Sequence, residues 1–447
     1  MTELTKTVRV YPSGPLYGTV RPPSSKYHTL RSIVAALLAT GSSVIHGPAE
    51  SDDTDVLVRT CQQLGGSLQY SDASLKPGEA SALLVNGTGG RIAAPQDGVL
   101  DVGNAGAVLR LLLGICALSP EPITLTTPYP ESLGRRPNAD LLQALRQLGA
   151  VVECESLEGR LPVRIRRGTL HGGKVRISGK KSSQYISSLL FLAPLLEAGL
   201  EIEIVDGLAS ASFVELTIQV LRQAGITVIV KQPHSHYIVP GGQRYQPLDY
   251  TIPGDYPSAA ALLAAVAVAK GELTIPNLQA GDEQGQALLE VFSSMGVQIT
   301  RRGDTIIARL QEPLRGITCA GDAIIDSVPV IVAAACFAGQ PSRIYNVANL
   351  RLKESDRIYD LAMELNALGC RATPSEDALE IVPVGAGGVH GGVTVDAHSD
   401  HRLIQALTIA GLGSQQPVTI TQAQHIAKSY PRFFADLRSV GAQIEWI

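Results

Sequence analysis

The stretch LLQALRQLGAVVEC, Leu141–Cys154, decides the fold. Leucines recur at helical spacing up to Leu148, Gly149 follows, and a short β-prone run begins at Val151. A glycine at that point supplies the left-handed residue that ends a helix and turns the chain into a strand. The same pattern returns five times, in LVRTCQQLGGSLQY, TIQVLRQAGITVIV, LLEVFSSMGVQITR, LAMELNALGCRATP and FFADLRSVGAQIEW. The six glycines, Gly65, Gly149, Gly225, Gly296, Gly369 and Gly441, recur about every 75 residues, as stacked repeats do.

A second series interleaves with the first. SIVAALLATGSSVIHG, SAAALLAAVAVAKGELTIP and four similar segments each give a helix apolar all round, a break and a strand. A helix without a polar face must be surrounded by protein. The pattern predicts an α/β chain of six units, each with one central helix, one flanking helix and short strands. Three units precede the Pro- and Gly-rich stretch Pro240–Tyr256 and three follow it, which places a hinge crossing there and a ligand cleft between two lobes. A solenoid scaffold is the competing architecture.

Composition agrees with a large core. The chain has 447 residues, 45% of them hydrophobic and 17% charged, which excludes disorder and points to two domains. A net charge of −4 without a basic tract argues against a nucleic-acid or anionic-membrane partner. The six cysteines lie far apart without a CxxC pair, so reduced buried thiols are expected. No apolar run is long enough to span a bilayer and the N-terminal MTELTKTVRVYPSG lacks a signal-like core, so a cytoplasmic protein is expected.

The polar residues stand just before the buried helices. SSKYHTLR, DVGNAGAVLR, SGKKSSQYISS, IPGDYPSAA, DAIIDSVP and AHSDHR each precede or open one, with Lys26 and Arg31 read as lying in a loop at the first. Helix N-termini attract anions, so six of them form two anion-attracting surfaces. Arg135 and Arg136 in LGRRPNADLL, Lys353 and Arg357 in NLRLKESDRI, and Lys428 in IAKSYPRFF add cations. With Ser182, Ser183 and Ser210 they suggest phosphate or carboxylate binding. Asp326 and Glu354 are the candidate acid and base; an N-cap role for Asp326 and a first-turn helix charge for Glu354 are the alternatives. GxxxxGK[ST], GxGxxG after a strand and HExxH are absent, so ATP, nicotinamide and zinc are not indicated.

The ordered pieces SK…R, SDDT, GNAG…R, RRP, SSQ, PGD, IIDSVPV, NLRLKESDR, SDHR and AKSYPRFF resemble the enolpyruvyl transferases, most closely the EPSP synthase family, over essentially the whole chain. The resemblance implies two lobes, each of three βαβαββ units around buried helices. Residues 1–22 and 244–447 would form the C-terminal-side lobe and 23–243 the other, with the substrate cleft between them. It implies transfer of the enolpyruvyl group of phosphoenolpyruvate to the 5-hydroxyl of shikimate 3-phosphate, with release of phosphate, in aromatic amino acid biosynthesis.

By motif, Lys26, Asn104, Gly106, Arg136, Gln184, Arg357, Arg402 and Lys428 would hold phosphoenolpyruvate. Tyr27, Arg31, Ser182, Ser183, Gln184, Ser210, Asp326, Asn349 and Lys353 would hold the acceptor. Asp326 would accept the hydroxyl proton and Glu354 would protonate the methylene, with Lys26 as a third catalytic residue. No metal, organic cofactor, nucleic-acid or membrane partner is implied, and a monomer is expected.

The chain departs from the family pattern chiefly at one loop. Tyr27 stands where a serine usually follows the lysine, and Leu30 replaces a polar residue. Ala107, Leu111 and Phe213 replace a common Thr, Pro and Tyr or Arg. An altered acceptor, in transfer or elimination, and a non-catalytic binding protein therefore stay open. The sister enzyme acting on UDP-N-acetylglucosamine is disfavoured, because the segment Pro130–Pro137 lacks its usual cysteine.

Overall fold

The computed structural model describes residues 6–71, 81–384 and 388–447; residues 1–5 of the expected 1–22 segment lie outside it. Among the described residues, twelve α-helices alternate in two roles. The central ones are α1 (Lys26–Leu38), α3 (Gly106–Cys116), α5 (Ser183–Leu192), α7 (Tyr256–Ala269), α9 (Val328–Ala335) and α11 (His401–Leu412). Nearly every residue in them is buried, as their all-round apolar surfaces demand. The flanking ones are α2 (Asp52–Gln63), α4 (Ala139–Gln147), α6 (Ser212–Gln223), α8 (Glu283–Ser294), α10 (Tyr359–Ala367) and α12 (Phe433–Ser439). Each flanking helix buries one stripe and ends at the expected glycine. All six glycines have positive φ, between 76° and 116°.

The described strands form six four-stranded sheets with one shared pattern: a parallel pair, then two antiparallel neighbours. This is the βαβαββ unit six times over, which excludes the solenoid scaffold. Three sheets borrow a strand from far away in sequence. Asp249–Thr251 pairs in parallel with Ser42–His46 and completes the first unit. Leu16–Thr19 pairs in parallel with Gly271–Ile275 and completes the fourth. Val8–Val10 lies between Val418–Thr421 and Ile444–Trp446 and completes the sixth.

The chain accordingly divides into two compact units, Ser24–Ile252 and residues up to Pro23 together with Pro253–Ile447. The second crossing falls at 252/253 rather than the expected 243/244, because the strand Asp249–Thr251 stays with its partner Ser42–His46. In the second unit α7, α9 and α11 pack on one another; in the first, α3 packs on α5 and α6 on both α1 and α5. Each fully buried leucine on these helices, such as Leu37, Leu112, Leu190 or Leu263, contributes roughly 1.5–3 kcal/mol by leaving water. Among the described residues no helix is long and apolar enough to cross a membrane.

Candidate active site

The first unit carries its polar residues on the opening turns of buried helices. Ser25, not a later residue, caps α1, its side chain accepting from the His28 amide. The helix therefore starts at Lys26, and Lys26 to Arg31 lie in its first turns rather than in the loop expected from sequence. The buried Lys26 ammonium donates to Asp53 at 2.9 Å, and Asp53 sits in the first turn of α2. Arg31 is 2% exposed, and its hydrogen-bond partners are all neutral: Thr217 Oγ1 at 2.7 Å and the carbonyls of Tyr27 and Phe213 at 3.1 and 3.2 Å. Burial brings its pKa down to about 10, against an opposing pull from Tyr27.

The same unit gathers a second cluster. Arg110 donates to Ser182 Oγ at 3.3 Å, to Gln184 Oε1 at 3.0 Å and to Asn138 Oδ1 at 3.3 Å, and stacks on Tyr185. Ser182 is the N-cap of α5, accepting from the Gln184 amide, and Ser183 opens that helix. Arg136 is buried over the start of α3; a Cβ on Gly106 would lie 2.6 Å from its Nη1, so only glycine lets the guanidinium approach. Asn104 is half-buried two residues earlier. Ser210, just ahead of α6, is held left-handed at φ 53°, a conformation that non-glycine residues adopt mainly under constraint. Arg135, in contrast, is exposed and pairs with Glu131.

The second unit joins its candidates more tightly. Asp326 Oδ1 accepts from Lys353 Nζ and Arg357 Nη1, both at 3.1 Å. Glu354 accepts from Arg357 Nη2 at 2.7 Å and Lys428 Nζ at 2.8 Å. Asp400, wholly buried, grips Arg357 at 2.7 and 3.0 Å and caps α11 through the Arg402 amide at 2.8 Å. Three carboxylates thus face the three cations Lys353, Arg357 and Lys428. Arg402, 1% exposed, adds a fourth positive charge held by Gln405 Oε1 at 3.1 Å.

The residue immediately before α9 is Ser327 rather than Asp326, and Glu354 precedes α10 by five residues. Asn349 is half-buried in the short 3₁₀ turn Ala348–Leu352 that leads to Lys353.

This network sets the charge states. Arg357 is driven further into its charged form: Asp400, then Glu354 and Asp326, outweigh the opposing effect of burial. Lys353 sits below the ordinary lysine value, chiefly through burial, with Asp326 pulling the other way. Ion pairs in the interior are weak evidence for stability, since desolvation costs several kcal/mol per ion. Their concentration here marks a site for charged ligands. Glu354, Asp400 and His401 offer atoms within 4.8 Å of one another, the spacing of a metal centre, but the Arg357 guanidinium already occupies both carboxylates.

His28 gives a pH prediction. Burial, and secondarily the Arg31 charge, push its pKa from 6.5 down to about 3. The folded value lies below the unfolded one, so between these limits only the unfolded chain takes up the proton. Stability from this residue is complete above about pH 6.5 and falls toward pH 3, by up to ~1.4 kcal/mol per pH unit. Urea midpoints for wild type and His28→Gln should converge in acid; parallel curves would show that another group is responsible.

Sequence reasoning missed Asp53, Arg110, Asp400, Gln405 and Thr217 as site residues. Asp53 lay in the quoted SDDT, Arg110 in GNAG…R and Asp400 in SDHR, so a signal existed. Gln405 and Thr217 look like ordinary helix positions and carry none.

The comparisons with known proteins agree with this chemistry. The family description of EPSP synthase (3-phosphoshikimate 1-carboxyvinyltransferase) matches residues 10–437. A 3-phosphoshikimate 1-carboxyvinyltransferase from Deinococcus radiodurans is 41% identical over 98% of this chain and 97% of its own. One from Methanocaldococcus jannaschii is 34% identical over 96% and 97%. Among solved structures, an EPSP synthase from Acinetobacter baumannii superposes with TM-score 0.82 at 25% identity, covering 99% of this chain and all of that one. The enolpyruvyl transferase NikO from Streptomyces tendae, 19% identical, shares the fold with TM-score 0.78 over 99% of both chains. The chain belongs to the EPSP synthase (3-phosphoshikimate 1-carboxyvinyltransferase) family.

Proposed function

We propose that this protein moves the enolpyruvyl group of phosphoenolpyruvate to the 5-hydroxyl of shikimate 3-phosphate and releases phosphate. One observation carries the reading: Asp326 and Glu354 each bridge two cations, and Arg357 is common to both. That arrangement sets two proton-transfer groups side by side among charges suited to an anionic substrate.

Phosphoenolpyruvate binds to Lys26, Asn104, Gly106, Arg136 and Gln184 from one unit and to Arg357, Arg402 and Lys428 from the other. Its phosphate and carboxylate offer the partners that so many cations require. Ser182, Ser183, Ser210 and Lys353 hold the acceptor phosphate, with Gln184, Asn349 and Asp326 along its ring and Tyr27 and Arg31 at its other end. The two sets come from different units, and the reaction needs both. A monomer is the form this reading expects.

The acceptor hydroxyl adds to C2 of phosphoenolpyruvate and gives its proton to Asp326. Glu354 protonates C3, forming a tetrahedral ketal. Glu354 then takes a proton back from the new methyl group as the C–O bond to phosphate breaks, and phosphate leaves. Glu354 shares Arg357 and Lys428 with the incoming anion. Binding therefore loosens its ion pairs at the moment when it must carry a proton. Fixed charges around the cationic centre supply much of the rate, together with positioning.

The test is phosphate release from phosphoenolpyruvate with and without shikimate 3-phosphate, with mass spectrometry of the product. Acceptor-dependent release with an enolpyruvyl adduct is expected. The aromatic pair Tyr27–Phe213, 4.4 Å between centroids, favours one second reading, a related cyclic acid as acceptor. Turnover with such an acid but not with shikimate 3-phosphate would replace the first reading by that one. Saturable binding without turnover would leave a binding protein.

A further inference from the structure

Next to the cations of the second unit lies a strained junction with its own polar network. The strands Thr394–Asp396 and Val418–Thr421 run parallel, with Asp396 opposite Thr421 at their ends. Both strands leave through left-handed residues that are not glycine. These are His398 at φ 51° and Ser399 at φ 54° after the first strand, and Gln422 at φ 57° after the second. Such conformations are costly, cluster at functional sites and persist only where the surroundings hold them.

The holding groups are side chains of the junction itself and of α10. Gln422 Nε2 donates to Asp396 Oδ1 at 2.8 Å. A carboxylate can only accept, which fixes the orientation of the amide and turns Gln422 Oε1 to the Ser399 hydroxyl, its second partner. Asp396 Oδ1 also accepts from the His398 amide at 2.7 Å. From α10, Glu364 accepts from the Asp396 amide at 3.1 Å on one oxygen and pairs with His398 Nε2 at 2.9 Å on the other.

Each exit leads to a different part of the cation cluster. The first runs from Ser399 into Asp400, which grips Arg357, and on to Arg402. The second runs from Gln422 into the 3₁₀ turn Ala423–Lys428, whose Lys428 pairs with Glu354. Gln422 stands at the start of the second exit and holds the first by two hydrogen bonds. Those bonds therefore set the spacing between the two parts.

We propose that Gln422, backed by Glu364, is a positioning residue for phosphoenolpyruvate. It keeps Arg357 and Arg402 in register with Lys428, so that the two anionic groups of this substrate meet cations at a fixed separation. The proposal rests on the transfer reading given above. Without the clamp, His398 and Ser399 relax toward ordinary backbone angles and carry the Asp400–Arg402 segment out of register with Lys428.

The experiment is steady-state kinetics on wild type, Gln422→Met, Ser399→Ala and the double variant, with each substrate varied in turn. Gln422→Met keeps the side-chain length and removes both hydrogen bonds. Its kcat/KM for phosphoenolpyruvate should fall about ten- to a hundredfold, the scale on which a small misplacement acts. A higher KM should carry most of that fall, while the KM for shikimate 3-phosphate stays close to wild type. Inorganic phosphate, tested as an inhibitor, has one anionic group and needs no fixed spacing, so it should lose far less affinity. Ser399→Ala removes one of the two bonds and should shift KM the same way by less. The double variant should be no worse than Gln422→Met, because both changes act through one contact.

A wild-type KM for phosphoenolpyruvate in Gln422→Met, even with a lower melting temperature, would overturn the proposal and leave a clamp that serves stability alone. Equal losses for phosphoenolpyruvate, shikimate 3-phosphate and inorganic phosphate would overturn it as well, since they would report a general loosening. If Gln422→Met does not fold, Ser399→Ala carries the same comparison. If wild type transfers no enolpyruvyl group, the transfer reading fails first and this proposal fails with it. If wild type turns over normally, only the proposal is at stake.

Discussion

Asp326→Ala and Glu354→Gln are each expected to lower kcat by about 10²–10⁴-fold while the affinities for both substrates change far less. The asymmetry follows from the geometry. Asp326 and Glu354 make charge contacts to Lys353, Arg357 and Lys428, and those cations remain when either carboxylate is removed. Losing a carboxylate leaves more positive charge for the anionic substrates, so binding should hold or tighten. The proton transfers have no other group within the described network: Asp400, the third carboxylate, is wholly buried and engaged with Arg357, Ser355 and the Arg402 amide. Isotope exchange separates the two roles. Glu354→Gln should block deuterium wash-in to C3 of phosphoenolpyruvate, since that step needs the acid itself. Near-wild-type turnover in either variant would remove the residue from the mechanism.

Asp400→Ala is expected to destabilise the protein by roughly 3–5 kcal/mol, the cost of breaking a buried ion pair from one side. The same residue caps α11, and loss of such a cap adds about 1 kcal/mol. Arg357 keeps Asp326 and Glu354, so the lower end of the range applies to the ion pair. The guanidinium should also rotate away from its present place, raising KM for phosphoenolpyruvate. Asp400→Asn retains an acceptor for the Arg402 amide and should recover the cap but not the charge. Denaturant melts of the two variants distinguish these contributions, and equal stability of Asp400→Ala and wild type would refute the assignment.

The repeat and the buried helices were legible because they are local. A period of roughly 75 residues, six helix-ending glycines and six helices without a polar face are visible within short windows, and the sheets follow once the units are recognised. The cations were legible by their place at repeat boundaries. What sequence could not reveal is which charges meet. Lys26 finds Asp53 in the next helix, Arg357 finds Asp400 in the following repeat, and Arg31 finds Thr217 at a separation of 186 residues. Each of these is a tertiary pairing with no local trace.

One local reading also went astray, for a small reason. Ser25 accepts from the His28 amide and so starts α1 early, which turned an expected loop into helix.

The borrowed strands impose an order on birth. The unit Ser24–Ile252 can close its three sheets as soon as Asp249–Thr251 has left the ribosome, because that strand is its last missing piece. The other unit contains the earliest described strand, Val8–Val10, whose two neighbours are made late. At about 5–20 residues per second, about 400 residues of synthesis separate partners in that sheet, a wait of roughly 20–80 seconds. During it, the strand has both edges unpaired, and such edges template aggregation. Nascent chains stalled between these two points would hold one finished unit and one that has begun but cannot end.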